Sequence, residues 1–152
     1  MVLTFAGIAP VAAAAEPVSV ASCGTSAGMW TGSYEGSLVF DSSPGDPHRL
    51  RVDVTSSGSG LAVHTVVNDD QNPYHPSGAP AIQNGNLVWT AWYYALPFAF
   101  YDTYTTNSVT CSGSKVTTFG GEVPFVVKWI GPFAAVDPMN ESDKTFSLTR
   151  TS

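Results

Sequence analysis

Charged side chains are what this chain has least of. Asp, Glu, Lys and Arg together make up 12% of its 152 residues, about half the usual share of roughly 25%. Basic residues are the scarcer sign, six against twelve acidic ones, which leaves a net charge of −6 and a pI near 4.7. A surface of that sign repels phosphate backbones and anionic headgroups, so nucleic acid and anionic membranes are not expected partners. The chain also has no internal repeat, no heptad pattern and no stretch of helical periodicity. Without these, coiled coils, solenoids and helical bundles are excluded, and strands are left to build the fold.

Cysteine is nearly absent as well, at two residues, Cys23 and Cys111. What surrounds the first of them reads as export. Residues 2–15 (VLTFAGIAPVAAAA) form an uncharged apolar run that ends in small residues and breaks at Glu16-Pro17. The run is too short to cross a hydrocarbon layer of about 30 Å, and it fits a signal peptide cut after Ala15, although the usual basic n-region is missing. A second reading uses Val20-Ala21-Ser22-Cys23, a lipobox-like segment that would place a lipid anchor on Cys23. In an oxidising compartment two thiols most economically form one bridge, Cys23 to Cys111. The expected organisation is therefore a signal peptide over residues 1–15, an N-terminal segment over 16–28 tethered by Cys23, and a single domain over 29–152. The protein is expected to be secreted or at the cell surface, with no membrane insertion once the signal is removed.

Clustered catalytic and metal-binding residues are lacking too. His48, His64 and His75 are scattered, and no serine sits in a Gly-x-Ser-x-Gly elbow. Two distant cysteines and these histidines offer no zinc set, so no metal and no cofactor is expected. Asn68, Asp69, Asp70, Gln71 and Asn72 carry oxygens suited to calcium but not the EF-loop pattern, and read better as a solvated turn. Glu35 and Glu122 have the chemistry of a glycosidase pair, with nothing in the sequence to bring them together. The least implausible enzyme is a cavity isomerase or cyclase with Asp102 or Tyr101 as the acid–base group, and no catalytic residue is assigned.

What the chain does have is alternation. Over residues 30–40, Trp30, Gly32, Tyr34, Gly36, Leu38 and Phe40 share one face, which predicts a half-buried strand. Residues 49–55 set Leu50, Val52 and Val54 against Arg49, Arg51 and Asp53 in the same way. Further strands are predicted over 61–67, 87–94, 98–111, 115–119, 122–130 and 144–150, with Asn84-Gly85 as a tight-turn signal and 68–80 as a long loop. About eight short strands, mostly adjacent in sequence, predict an all-β antiparallel meander closed into a small barrel, which removes exposed edges; a β-sandwich is the alternative.

Gly28-Met29-Trp30 at the start of the first strand and Arg150 at the end of the last (TFSLTR) resemble the calycin superfamily of lipocalins, fatty-acid-binding proteins and avidins. In that superfamily a first-strand Gly-x-Trp lays its indole across one end of the barrel and a basic residue of the last strand packs on it. The resemblance implies a structural pair of Trp30 and Arg150. TGSYEG and SDKTFSLTR are similar to avidin segments, but Trp30 and Tyr34 share a strand here and Lys144 interrupts the Asp-Thr-Phe run, so no biotin-contacting residue carries over.

Aromatic residues are abundant between Trp89 and Tyr104. Flat apolar rings bury a ligand while tyrosine hydroxyls orient it, which makes Trp30, Tyr34, Trp89, Tyr93 and Tyr101 the candidate ligand-binding residues. Leu87, Trp89, Ala91 and Tyr93 form the inward set of their strand. That leaves Trp92 and Tyr94 facing outward, where they would suit a homo-oligomer interface. The expected function is binding of a small, largely apolar ligand. An extracellular interaction module with a packed interior is the alternative, and the cavity isomerase or cyclase the second.

Overall fold

The computed structural model describes Cys23 and residues 26–69, 74–95, 98–124, 127–129 and 143–152. A short 3-10 turn, Ala27–Met29, leads into ten strands: β1 Gly32–Phe40, β2 His48–Ser57, β3 Gly60–Val67, β4 His75–Pro76, β5 Ala81–Gln83, β6 Asn86–Ala95, β7 Phe98–Ser112, β8 Lys115–Val123, β9 Val127–Trp129 and β10 Lys144–Arg150. They make one antiparallel sheet in the order β3-β2-β1-β10-β8-β7-β6-β4, with β5 on β6 and β9 on β7. An isolated bridge between Thr65 of β3 and Tyr74, just before β4, brings the two ends of that path together. The eight strands of that path are nearly closed into a barrel, with β5 and β9 added off it, which rules out the two-sheet sandwich.

The alternation of the sequence sets the inner face. Tyr34 and Leu38 of β1, Leu50, Val52 and Val54 of β2, Leu87, Trp89 and Ala91 of β6, Phe119 of β8, and Phe146 and Leu148 of β10 are all buried. The centre of the barrel is solid with rings. Trp89 stacks on Tyr104 at 4.6 Å and 5°, and Phe146 meets both edge-on at 5.6 and 5.5 Å. Trp89 also donates its indole N–H to Thr65 Oγ1 at 3.1 Å, a bond from β6 to β3 across the seam.

Several boundaries differ from the sequence reading. Trp30 precedes β1 and ends the 3-10 turn rather than opening the strand. β8 runs unbroken through Gly120-Gly121, where a break was expected. At Gly121 any side chain would collide with the Thr105 carbonyl of β7, and at Gly36 with the Ser147 carbonyl of β10. The two glycines therefore keep the ladders close instead of interrupting them. β4 lies in the segment read as loop and β5 between that loop and the Asn84-Gly85 turn, both too short to show a period. Of the expected strand over 122–130, Glu122 and Val123 belong to β8 and Val127–Trp129 form β9, paired with β7, while residues 125, 126 and 130 lie outside the described residues. The Asn84-Gly85 turn takes φ of 52° and 80°, as a two-residue hairpin needs.

Cys23 and Cys111 are bonded, with Cα atoms 5.7 Å apart, so β7 anchors the N-terminal segment. The bridge closes 88 residues of chain, and loops of that length restrict the unfolded ensemble strongly. Reduction is expected to lower stability by about 2–4 kcal/mol, measured by urea unfolding with and without reductant; an unchanged midpoint would show that the tether carries no stability.

Candidate functional site

The two ends of the barrel differ in chemistry, and the β1–β10 register separates them: Tyr34 faces Arg150 at one end and Phe40 faces Lys144 at the other. At the first end Trp30 is buried, edge-on to Phe119 at 5.2 Å, and Tyr34 meets the same ring at 4.8 Å. The Arg150 guanidinium spends all five donors there. Nε donates to Val116 O at 2.7 Å, Nη1 to Thr31 O and Ser152 O at 2.9 Å each, and Nη2 to Met29 O at 3.2 Å and Tyr34 Oη at 2.6 Å. Its carbon lies 4.9 Å from the centre of the Tyr34 ring. The ring beneath the guanidinium is thus Tyr34, its register partner, where the calycin resemblance implied Trp30. Arg150 meets the Trp30 region through the carbonyls that flank the indole. With no donor left, it cannot serve an anion in the adjacent cleft of about 580 Å³ lined by Thr31, Asp53, Lys115 and Ser152.

Tyr34 Oη also donates to Trp30 O at 2.7 Å. Burial pushes its pKa up to about 12, with Arg150 offsetting part of the rise. Tyr104, wholly enclosed, is raised well above the usual value by burial, with nearby Asp102 adding to it. Both rings keep in the folded state a proton that the unfolded chain gives up near pH 10, so stability falls as pH rises beyond 10. For Tyr34 the loss approaches about 2–3 kcal/mol by pH 12. Alkaline unfolding followed by tyrosinate absorbance checks this, and Tyr34→Phe should remove that share of the pH dependence.

The opposite end carries the chemistry. On the inner face of β7, Asp102, Tyr104 and Thr106 follow one another at two-residue spacing, all buried. Lys144, the first residue of β10, donates to Asp102 Oδ1 at 2.7 Å, with the two side chains 1% and 2% exposed. The ammonium also lies 5.0 Å from the centre of the Phe40 ring. Asp102 Oδ2, Tyr104 Oη and Thr106 Oγ1 are buried without a hydrogen-bond partner among the described residues. Each such atom costs on the order of 1–3 kcal/mol until something polar meets it. Burial raises the Asp102 pKa, and Lys144 counteracts only part of that. The rings grouped nearby are Tyr74, Tyr93 and Phe100, with Tyr74 4.7 Å from Tyr93, and Tyr93 stacked on Phe100 at 5.2 Å and 16°. A cleft of about 380 Å³ lies beside Lys144 on the outer side of this end, where Asp41, Thr105, Glu122, Asp143 and Thr145 line it; Asp102 and Tyr104 do not reach it.

The five expected ligand-lining residues are not brought together. Trp30 and Tyr34 belong to the Arg150 end, and Trp89 is locked between Tyr104 and Thr65 in the centre. Tyr93 alone stands at the Asp102 end. Tyr101 neighbours Asp102 and so takes the outer face, stacked on Trp92 at 6.2 Å. There it joins Tyr94, 48% exposed and 4.5 Å from Trp92, and His75, 4.7 Å from the same ring.

Other candidates separate. Glu35 faces Thr149 and Glu122 faces Thr145, four residues along β10, or about 13 Å of strand, too far for a carboxylate pair. Glu35 is also engaged by Arg49 at 3.1 Å. His48 packs on Phe40, His64 lies 4.0 Å from Asp53, and His75 packs on Trp92. Among the described residues no cluster suits a metal ion. Asn68 Oδ1 accepts from Arg49 N at 2.9 Å and Asp69 pairs with the Arg49 side chain at 2.8 Å, so both hold the turn; Asp70, Gln71 and Asn72 lie outside the described residues.

Neither Lys144 nor Tyr104 is marked as a site residue by the sequence alone. The available signal was an Asp on the same face as Phe100 and Tyr104, and a Lys on the same face as Phe146 and Leu148, in a chain so poor in charge. Comparison with protein-family models, curated proteins and solved structures finds no match.

Proposed function

We propose that this protein is a secreted barrel that binds a small, largely apolar ligand at the end opposite Arg150. The observation that carries the reading is the row of buried, unpartnered polar atoms on β7 beside the Asp102–Lys144 pair. An interior built only for packing has no use for Asp102, because an apolar substitute for a buried pair is often neutral or stabilising. The Cys23–Cys111 bridge fits an oxidising compartment, and the apolar run over residues 2–15 fits export to it. A solvent extract of the natively purified protein should contain one dominant small molecule in near-stoichiometric amount. Protein refolded without that extract should melt at lower temperature and recover when the extract is returned. An empty extract from protein whose melting is unchanged by refolding would overturn the reading.

The outer strip of His75, Trp92, Tyr94 and Tyr101 favours the interaction module as a second reading. If it is an interface, Trp92→Ser/Tyr94→Ser should change the sedimentation coefficient without changing the extract; if it is not, sedimentation will stay the same.

A further inference from the structure

Resting on that ligand-binding reading, we propose that the ligand is a neutral molecule that presents an N–H or O–H donor to Asp102 Oδ2 and is held in turn by the Tyr104 hydroxyl, and that the site rejects carboxylates. Lys144 already occupies Asp102 Oδ1 at 2.7 Å, so the buried pair is neutral as a unit. The remaining carboxylate oxygen is an acceptor and demands a donor. An anionic ligand would set a second negative charge beside it, and a cationic one would leave a net positive charge in an apolar interior; both are penalised by burial. Two residues along the same face, Tyr104 Oη is able to donate or accept and has no partner among the described residues. Tyr74, Tyr93 and Phe100 supply the rings against which an apolar body would lie.

The test uses three probes on one apolar skeleton, naphthalene, 2-naphthol and 2-naphthoate, titrated against the disulfide-bonded protein by tryptophan fluorescence and calorimetry. 2-Naphthol should bind at least about tenfold more tightly than either of the others, as one well-made buried hydrogen bond allows. The variant Asp102→Leu/Lys144→Met removes both members of the pair; its near-UV circular dichroism reports that it has folded. In it the preference for 2-naphthol over naphthalene should vanish while naphthalene still binds. If 2-naphthoate binds as tightly as 2-naphthol, or if the preference survives in the double variant, the donor proposal is overturned and ligand binding stands. If none of the three probes binds, both fall.

Discussion

Arg150→Met is expected to lower stability by about 2–4 kcal/mol, because it leaves several part-buried carbonyl acceptors without their donor. The reason lies in how completely the guanidinium is used. Its five donors meet the carbonyls of Met29, Thr31, Val116 and Ser152 and the hydroxyl of Tyr34, which ties the segment before β1 to β8 and β10. Methionine keeps much of the apolar stem but leaves those acceptors facing a side chain that offers nothing. Arg150→Lys should recover only part of the loss, because a single ammonium has three donors and no planar fork. Urea unfolding of both variants checks this. A loss below about 1 kcal/mol for Arg150→Met would show that the network is surface decoration.

Lys144→Met is expected to cost roughly 3–5 kcal/mol at neutral pH, for a different reason. It strands Asp102 with both oxygens unpaired inside the barrel. Burial already raises the Asp102 pKa with Lys144 present, and removing the ammonium takes away the two influences that lower it. In the variant the folded state binds a proton at a pH where the unfolded chain does not, so stability falls as pH rises through that interval and returns on acidification. The penalty of Lys144→Met should therefore shrink at mildly acidic pH, whereas that of Arg150→Met should not follow Asp102. Removing both charges, as Asp102→Leu/Lys144→Met, should restore most of the stability, since the cost lies in the unpaired charge. Urea midpoints across pH separate these cases; a pH-independent penalty for Lys144→Met would mean that Asp102 is not its cause.

Much of the architecture is legible in the sequence because a half-buried strand has a period of two. Tyr34 and Leu38, or Leu87, Trp89 and Ala91, declare their common face before any pairing is known, and Trp92 and Tyr94 declare the other. Two cysteines behind an export-like run likewise leave one economical bridge. The site was harder to read because its parts come from strands that alternation does not relate. Asp102 and Lys144 lie 42 positions apart, on β7 and β10 with β8 between them. Tyr101 drew attention as one more ring in an aromatic run, although counting from Tyr104 places it on the outer face. β4 and β5, at two and three residues, are too short for any periodicity to show.

The most direct measurement is native mass spectrometry of the protein, purified without denaturation from the organism that makes it, beside the variant Asp102→Leu/Lys144→Met from the same source. Ligand binding at the Asp102 end predicts one discrete small-molecule adduct on the wild type, lost on mild activation, and much reduced on the folded double variant. An unliganded mass for both proteins, or an equal adduct on both, would contradict it.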